Sequence, residues 1–204
     1  MHTTPKVIPN RPLFVSATQE EAVHLPKECA LIVTGIGTLN ATITLMDLLI
    51  SEREQGRTPS RLINFGTVGA LQDGLHGIYE VNRCHQHDFD HEIISEMNGK
   101  PYPNHIDLPT SGLLEEKRLA TGDAFIHRRE DRERIAREAE LVDMEGYAIV
   151  RVAQHLGLPV TLIKQVSDQA NEDSAALWDE AVELGARELA QVAFHVAEEL
   201  EKRS

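Results

Sequence analysis

Short runs rich in valine and isoleucine alternate along this chain with stretches of helical spacing, and that alternation constrains the fold more than any other feature. Leu13 to Ala17, Ala30 to Gly35, Leu62 to Gly66, Ile78 to Arg83 and Val160 to Ser167 read as strands feeding loops. Between them, Leu39, Ile43, Met46 and Leu49 or Ile50 recur at helical spacing, as do Met144, Ala148, Val152 and Leu156. Such alternation predicts an α/β structure whose central sheet is covered by helices on both faces. The stretch from Ser174 to Lys202, with Val182, Leu189, Val192 and Val196 in register, predicts a long amphipathic helix docked on that sheet.

The chain has 204 residues, enough for one substantial core and short for two, so one domain spanning 1–204 is expected, with 1–12 a flexible N-terminal segment. Its 33 acidic against 20 basic residues give a net charge of -13, which disfavours phosphate backbones and anionic lipid. Nucleic acid and membrane are therefore not expected partners. No apolar run approaches the roughly 20 residues that span a bilayer, and the first residues lack a signal-peptide core, so a cytoplasmic protein is expected. Cys29 and Cys84, without CxxC spacing, read as small buried residues. The mixed-charge run His127 to Glu140 reads as a solvated helix. His91 to Glu116, with three prolines and no sustained period, reads as a long loop of functional or subunit-contact type.

Candidate chemistry lies where elements end. Gly35-Ile36-Gly37 follows a strand and precedes a helix, a turn that brings backbone close to a ligand. A dinucleotide fingerprint would need a third glycine where Asn40 stands. Three acidic sites are more informative. Glu20 and Glu21 follow the first strand, Glu145 begins a helix, and Asp168 closes the strand from Val160. In an open α/β sheet the carboxyl ends of strands gather at one edge, so these acids can converge on one crevice and serve as acid and base.

Val15-Ser16-Ala17-Thr18-Gln19-Glu20-Glu21, Thr34-Gly35-Ile36-Gly37, Asn64-Phe65-Gly66-Thr67-Val68-Gly69-Ala70-Leu71, His87-Asp88-Phe89-Asp90, Ala120-Thr121-Gly122-Asp123-Ala124-Phe125-Ile126, Asp143-Met144-Glu145-Gly146 and Val166-Ser167-Asp168 occur in this order. The series resembles the nucleoside phosphorylase and nucleosidase superfamily, and most of all the 5′-methylthioadenosine/S-adenosylhomocysteine nucleosidases, over about residues 13 to 200. The resemblance implies a single α/β domain with a mixed, partly barrel-like sheet, a homodimer, a purine nucleoside substrate and no metal or cofactor. It implies that Glu21 activates water, Asp168 protonates or hydrogen-bonds N7 of the leaving purine, and Glu145 holds the ribose hydroxyls over Met144. It also implies an adenine slot at Phe125 and Ile126 beneath Trp178, with Thr67 and Val68 beside the sugar and Ser167 beside the acid.

Phosphorylases of this superfamily hold their anion with arginines, one at the strand end that here reads Asn64-Phe65-Gly66-Thr67 and one in an N-terminal loop; neither is present. Water is therefore the expected acceptor, since an unmatched phosphate dianion would be desolvated without compensation. A phosphorylase or a nucleosidase for another purine nucleoside is the alternative, and a non-catalytic nucleoside-binding protein the second. Three departures stand out: Lys164 where arginine is common, Thr18 where methionine is common, and contraction between His91 and Glu116. Cys84, His85, His87, Asp88, Asp90 and His91 are crowded enough to suggest zinc, but an acid and histidine cluster at a subunit contact is the preferred reading.

Overall fold

A computed structural model describes residues 7–102, 104–171 and 174–203, the side chains of 174–184 excepted. Fourteen elements follow one another: β1 (Leu13–Ser16), α1 (Gln19–Ala22), β2 (Ala30–Val33), α2 (Thr38–Glu54), β3 (Leu62–Ala70), β4 (Ile78–Gln86), α3 (His91–Asn98), β5 (Ile106–Asp107), β6 (Glu116–Thr121), α4 (Arg129–Ile135), β7 (Leu141–Asp143), α5 (Gly146–Leu156), β8 (Val160–Asp168) and α6 (Ser174–Lys202). The expected flexible segment at 1–12 lies partly outside the described residues, and from Leu13 the chain is strand.

Five strands close on themselves in the cycle β3, β7, β6, β4, β8 and back to β3. β3 runs parallel to β8 and antiparallel to β7, and β4 runs parallel to β6 and antiparallel to β8, so the barrel is mixed, as expected. β1 pairs with the first residues of β3 and carries β2 beyond it, while β5 adds to β4. β3 changes partner along one edge, from β1 at Leu62 to Asn64 to β7 at Gly69 and Ala70. That change turns a flat sheet into a closed one and puts Thr67 to Gly69 at its rim.

Both faces of the sheet are covered because neighbouring residues of one strand enter different cores. Leu62 and Leu162 join α2 and α5 in one cluster, with Leu45 and Ile149. Ile63, Phe65 and Ile163 join α1 and α6 in a second, with Ala22, Leu189 and Val196. Each fully buried leucine or isoleucine contributes about 1.5–3 kcal/mol relative to an exposed one. Cys84 is buried, as expected, and burial pushes its thiol up to about 12; Cys29 is half-buried, with its thiol raised to about 11 by burial and by Glu28.

Several expectations are corrected. The stretch from His91 to Glu116 is not all loop. Asp90 caps α3 by accepting from the Ile93 N–H at 3.0 Å, Gly99 ends it at φ 61, and β5 follows. β6 and β7 complete the barrel but carry no clear strand pattern in the sequence. In α2 the buried side is Ala41, Leu45, Leu48 and Leu49, whereas Leu39 and Ile43, 69% and 59% exposed, face outward with Ile50. The run 127–140 does hold a mostly solvated helix, α4, pinned by buried Ile135. No helix among the described residues is long and apolar enough to cross a membrane.

Candidate active site

The rim of the barrel opens into a cavity of about 290 Å³, and the residues expected to carry the chemistry meet there. Glu21, Glu145 and Asp168 line it together with Thr67, Val68, Phe125, Ile126, Met144 and Ser167. Trp178 lies among the side chains outside the described set. Glu20, one position from Glu21, is exposed and takes no part.

Glu21 is placed by local chain chemistry. Thr18 and Glu21 form a capping box at α1: the Glu21 N–H donates to Thr18 Oγ1 at 3.3 Å, and the Thr18 N–H donates to Glu21 Oε2 at 3.3 Å. Ser16 Oγ donates to Oε2 at 2.9 Å, and the Thr67 N–H and Oγ1 donate to Oε1 at 2.7 and 2.8 Å. Only 3% of Glu21 is exposed, so these donors compensate for the water it has lost. Gly66 makes room for it: a β-carbon there would meet Oε1 at 3.1 Å.

Asp168 ends β8 opposite Gly69, where the pairing of β3 and β8 shifts register. Its Oδ1 accepts the Ala170 N–H at 2.8 Å, and its Oδ2 accepts Ser167 Oγ at 2.9 Å. Buried Ala170, whose amide Asp168 holds, takes up φ 48, a left-handed conformation costly for a residue with a β-carbon. Gly69 is again a matter of space, because a β-carbon there would lie 3.2 Å from Asp168 Oδ1.

Glu145 occupies the N-cap of α5, and its Oε1 accepts the Gly37 N–H at 2.8 Å. Burial and the neighbouring Asp143 carboxylate push its pKa up to about 7, against the pull of Gly37 and Lys164. The fold is correspondingly less stable as pH rises through about 7, because the ionised form is the one that suffers burial.

A second layer lies beneath: Lys164, the lysine noted where arginine is common, is paired with Asp143, a partner that sequence reasoning did not assign. Lys164 Nζ meets Asp143 Oδ2 at 2.8 Å, with side chains 2% and 1% exposed. Asp143 also accepts Thr121 Oγ1 at 2.6 Å and the Gly146 N–H at 2.9 Å. Burial works against the Lys164 charge, but Asp143, Glu145 and Glu21 outweigh it and hold its pKa above the ordinary lysine value. A lysine directly after the apolar pair Leu162-Ile163, in a strand buried at both of its neighbours, was the available signal.

Phe125 is exposed at the mouth, its ring stacked on His127 with centroids 6.5 Å apart, while Ile126 is buried. Among the described residues no arginine or lysine lines this cavity. His85, His87 and His91 line a separate cavity of about 520 Å³ with Arg134 and Glu138. No metal-binding group of three or more His, Cys, Asp or Glu residues forms among the described residues.

An aminodeoxyfutalosine nucleosidase of Helicobacter pylori strain J99 is 26% identical over 199 residues, covering 88% of this chain and 84% of its own. A 5′-methylthioadenosine/S-adenosylhomocysteine nucleosidase of Bacillus pumilus is 29% identical over 203 residues, covering 84% of each. Among solved structures, the Streptococcus pneumoniae 5′-methylthioadenosine/S-adenosylhomocysteine nucleosidase with a transition-state inhibitor superposes with a TM-score of 0.78 at 23% identity, covering 93% of this chain and 99% of its own. The sequence profile described as "Phosphorylase superfamily" matches residues 21–200, and the chain, whose closed mixed sheet and rim cavity have the matching architecture, belongs to that superfamily.

Proposed function

We propose that this protein hydrolyses the N-glycosidic bond of a purine nucleoside such as 5′-methylthioadenosine or S-adenosylhomocysteine, releasing adenine. The observation that carries the reading is the placing of two buried carboxylates against positions two residues apart on the rim portion of β3. Glu21 is anchored on Thr67 and Asp168 abuts Gly69. Two residues of strand separate these anchors by about 7 Å, room for a sugar between them.

Cleavage passes through an oxocarbenium-like state, so the leaving base needs a proton while water approaches the other face. Asp168 delivers that proton to N7 as the C1′–N9 bond breaks and its electron pair passes to the purine. Glu21 takes a proton from the water that bonds to C1′. Glu145, as an anion, holds the ribose hydroxyls and favours the sugar's developing positive charge. Met144 packs under the sugar, Phe125 and Ile126 form the base slot, and Thr67, Val68 and Ser167 complete the walls. The cycle uses no metal or cofactor.

Water is favoured over phosphate because no cationic side chain among the described residues lines the cavity, Lys164 being engaged by Asp143. The relatives named aminodeoxyfutalosine nucleosidase leave the identity of the nucleoside open. Incubation with a panel of purine nucleosides, with and without phosphate, should yield free adenine at equal rates, read by chromatography. Strict phosphate dependence would establish a phosphorylase, and no base from any nucleoside would establish a binding protein. In the same assay kcat/KM should fall below about pH 7, as Glu145 takes up its proton.

The reading includes a homodimer and a cytoplasmic setting. α3 is amphipathic yet buries none of its residues, with Ile93 and Met97 53% and 78% exposed, and Leu39 and Ile43 of α2 are exposed as well. Apolar area of that kind on a folded chain marks a contact surface. Light scattering at micromolar protein should give twice the mass of the chain; a monomer would remove the dimer. Free Cys29 and Cys84 suit a reducing compartment.

A further inference from the structure

Asp123 belongs to none of the roles above, yet both of its carboxylate oxygens are engaged, next to Ala124 of the cavity lining. Its Oδ1 accepts the Thr38 N–H and its Oδ2 accepts Thr38 Oγ1, both at 2.6 Å. Thr38 opens α2, and the residue before it, Gly37, gives its N–H to Glu145. The first turn of α2 is thus gripped by Asp123 at the surface and by Glu145 inside the cavity.

What Asp123 grips is a turn flanked by glycines. Gly35 and Gly37 sit at φ 83 and 98, so the turn is made of the two residues with the most freedom to lose on ordering. Ile36, between them, lines the cavity while remaining about half exposed. The turn has its own bonds, from the Gly35 N–H to the Ala17 carbonyl at 3.0 Å and from Asn40 Nδ2 to the Ile36 carbonyl at 2.7 Å, but neither of them holds Thr38 or the Gly37 N–H. A β-carbon at Gly37 would meet Asp123 Oδ1 at 3.2 Å, so backbone and carboxylate are already in close approach.

The other end of the tether is firm. The Asp123 N–H donates to Asp88 Oδ2 at 3.0 Å, and Asp88 Oδ1 accepts from Gln86, the last residue of β4, at 3.0 Å. Two residues before Asp123, Thr121 Oγ1 donates to Asp143 and accepts from the Tyr147 N–H, and the Gly122 N–H donates to the Asp143 carbonyl. Asp123 therefore projects from the barrel wall onto the glycine-flanked turn.

We propose that Asp123 is a positioning residue that latches the Gly35-Ile36-Gly37 turn over the cavity and keeps the Gly37 amide on Glu145. It acts through Thr38 and Gly37 and does not touch the reacting atoms. The role rests on the nucleosidase reading for its kinetic consequence, though not for the latch itself. Releasing the turn removes a donor from the anionic form of Glu145, so the carboxylate is protonated up to a higher pH.

Two measurements on Asp123→Ala and Asp123→Asn test this, with circular dichroism to show that each is folded. Hydrogen exchange read by mass spectrometry needs no activity: in Asp123→Ala, amides of a peptide covering 35–40 should exchange at least about tenfold faster, with β3 and β8 unchanged. In the cleavage assay, an upward move of about one pH unit for Glu145 lowers kcat/KM about fivefold at pH 7 and leaves it near wild type at pH 9. Asp123→Asn, which keeps one acceptor for Thr38, should lie between the two. Unchanged exchange over 35–40 overturns the latch, and the same fractional loss of activity at every pH overturns its link to Glu145. A wild-type protein that cleaves no nucleoside would instead remove the catalytic reading, with the exchange result still deciding the latch.

Discussion

Asp168→Asn is expected to lower kcat by about 10²–10⁴ while leaving the protein folded, because general-acid catalysis of a difficult leaving group is worth that much. The substitution is well matched to the site. Asparagine keeps a carbonyl oxygen for the Ala170 N–H, and its amide faces Ser167 Oγ, whose hydroxyl is able to turn its hydrogen toward the Val68 carbonyl at 3.4 Å. The structural bonds around the side chain survive, and the transferable proton does not. KM should change little, since the acid acts on the breaking bond and the walls of the slot are untouched. Steady-state assay of adenine release, beside a melting curve, checks both halves. Near-wild-type turnover would remove Asp168 as the acid.

Lys164→Met should destabilise the fold by about 3–5 kcal/mol, the range for stripping one partner from a buried ion pair. For a domain with roughly 5–15 kcal/mol in hand, this lowers the melting temperature by on the order of 10 °C. Methionine fills the volume, so the cost comes from Asp143, left buried with its charge uncompensated among Thr121, Gly146 and Glu145. The Lys164 pKa is raised, so its contribution is complete below the ordinary lysine value and lost only as pH rises through the higher folded value; neutral pH lies well inside the stable range. Adding Asp143→Asn to Lys164→Met removes the stranded charge and should recover much of the loss. Thermal melts of the single and double variants decide it. A single variant within about 1 kcal/mol of wild type would mean the pair is not a keystone of this fold.

Some of this was legible from the chain alone, for identifiable reasons. The starts of β1, β2, β3, β4 and β8 fall where the Val- and Ile-rich runs start, because strands buried on both faces must be apolar throughout. Glu21, Glu145 and Asp168 stand at element ends, where side chains reach a rim, and they do line one cavity. The capping box from Thr18 to Glu21, which the sequence reading did not pick out, ties the position of Glu21 to four consecutive residues.

The misses share a cause. β6 opens with Glu116-Lys117-Arg118 and β7 has three residues, so neither carries enough apolar pattern to register; both are strands because the barrel supplies partners on each side. α2 is apolar on more than one side. Leu39 and Ile43 compete with Ala41 and Leu45 for the core, and only the packing of α2 against α5 selects the second set. The helix α3 was hidden by the prolines and glycines around it, although Asp90 and Gly99 supplied both caps.

The sequence by itself determined which residues carry charge at the ends of which elements, and so the kind of chemistry this chain is equipped for. Tertiary structure alone decided which charges meet. Lys164 and Asp143 are 21 positions apart, and Gly37 and Glu145 are 108 apart. Bonds over such separations depend on closure of the barrel, on a register shift at Gly69 and on two left-handed glycines. Local pattern encodes burial and periodicity, whereas a contact between distant residues exists only once the chain has closed, and the pKa of Glu145 follows from that closure.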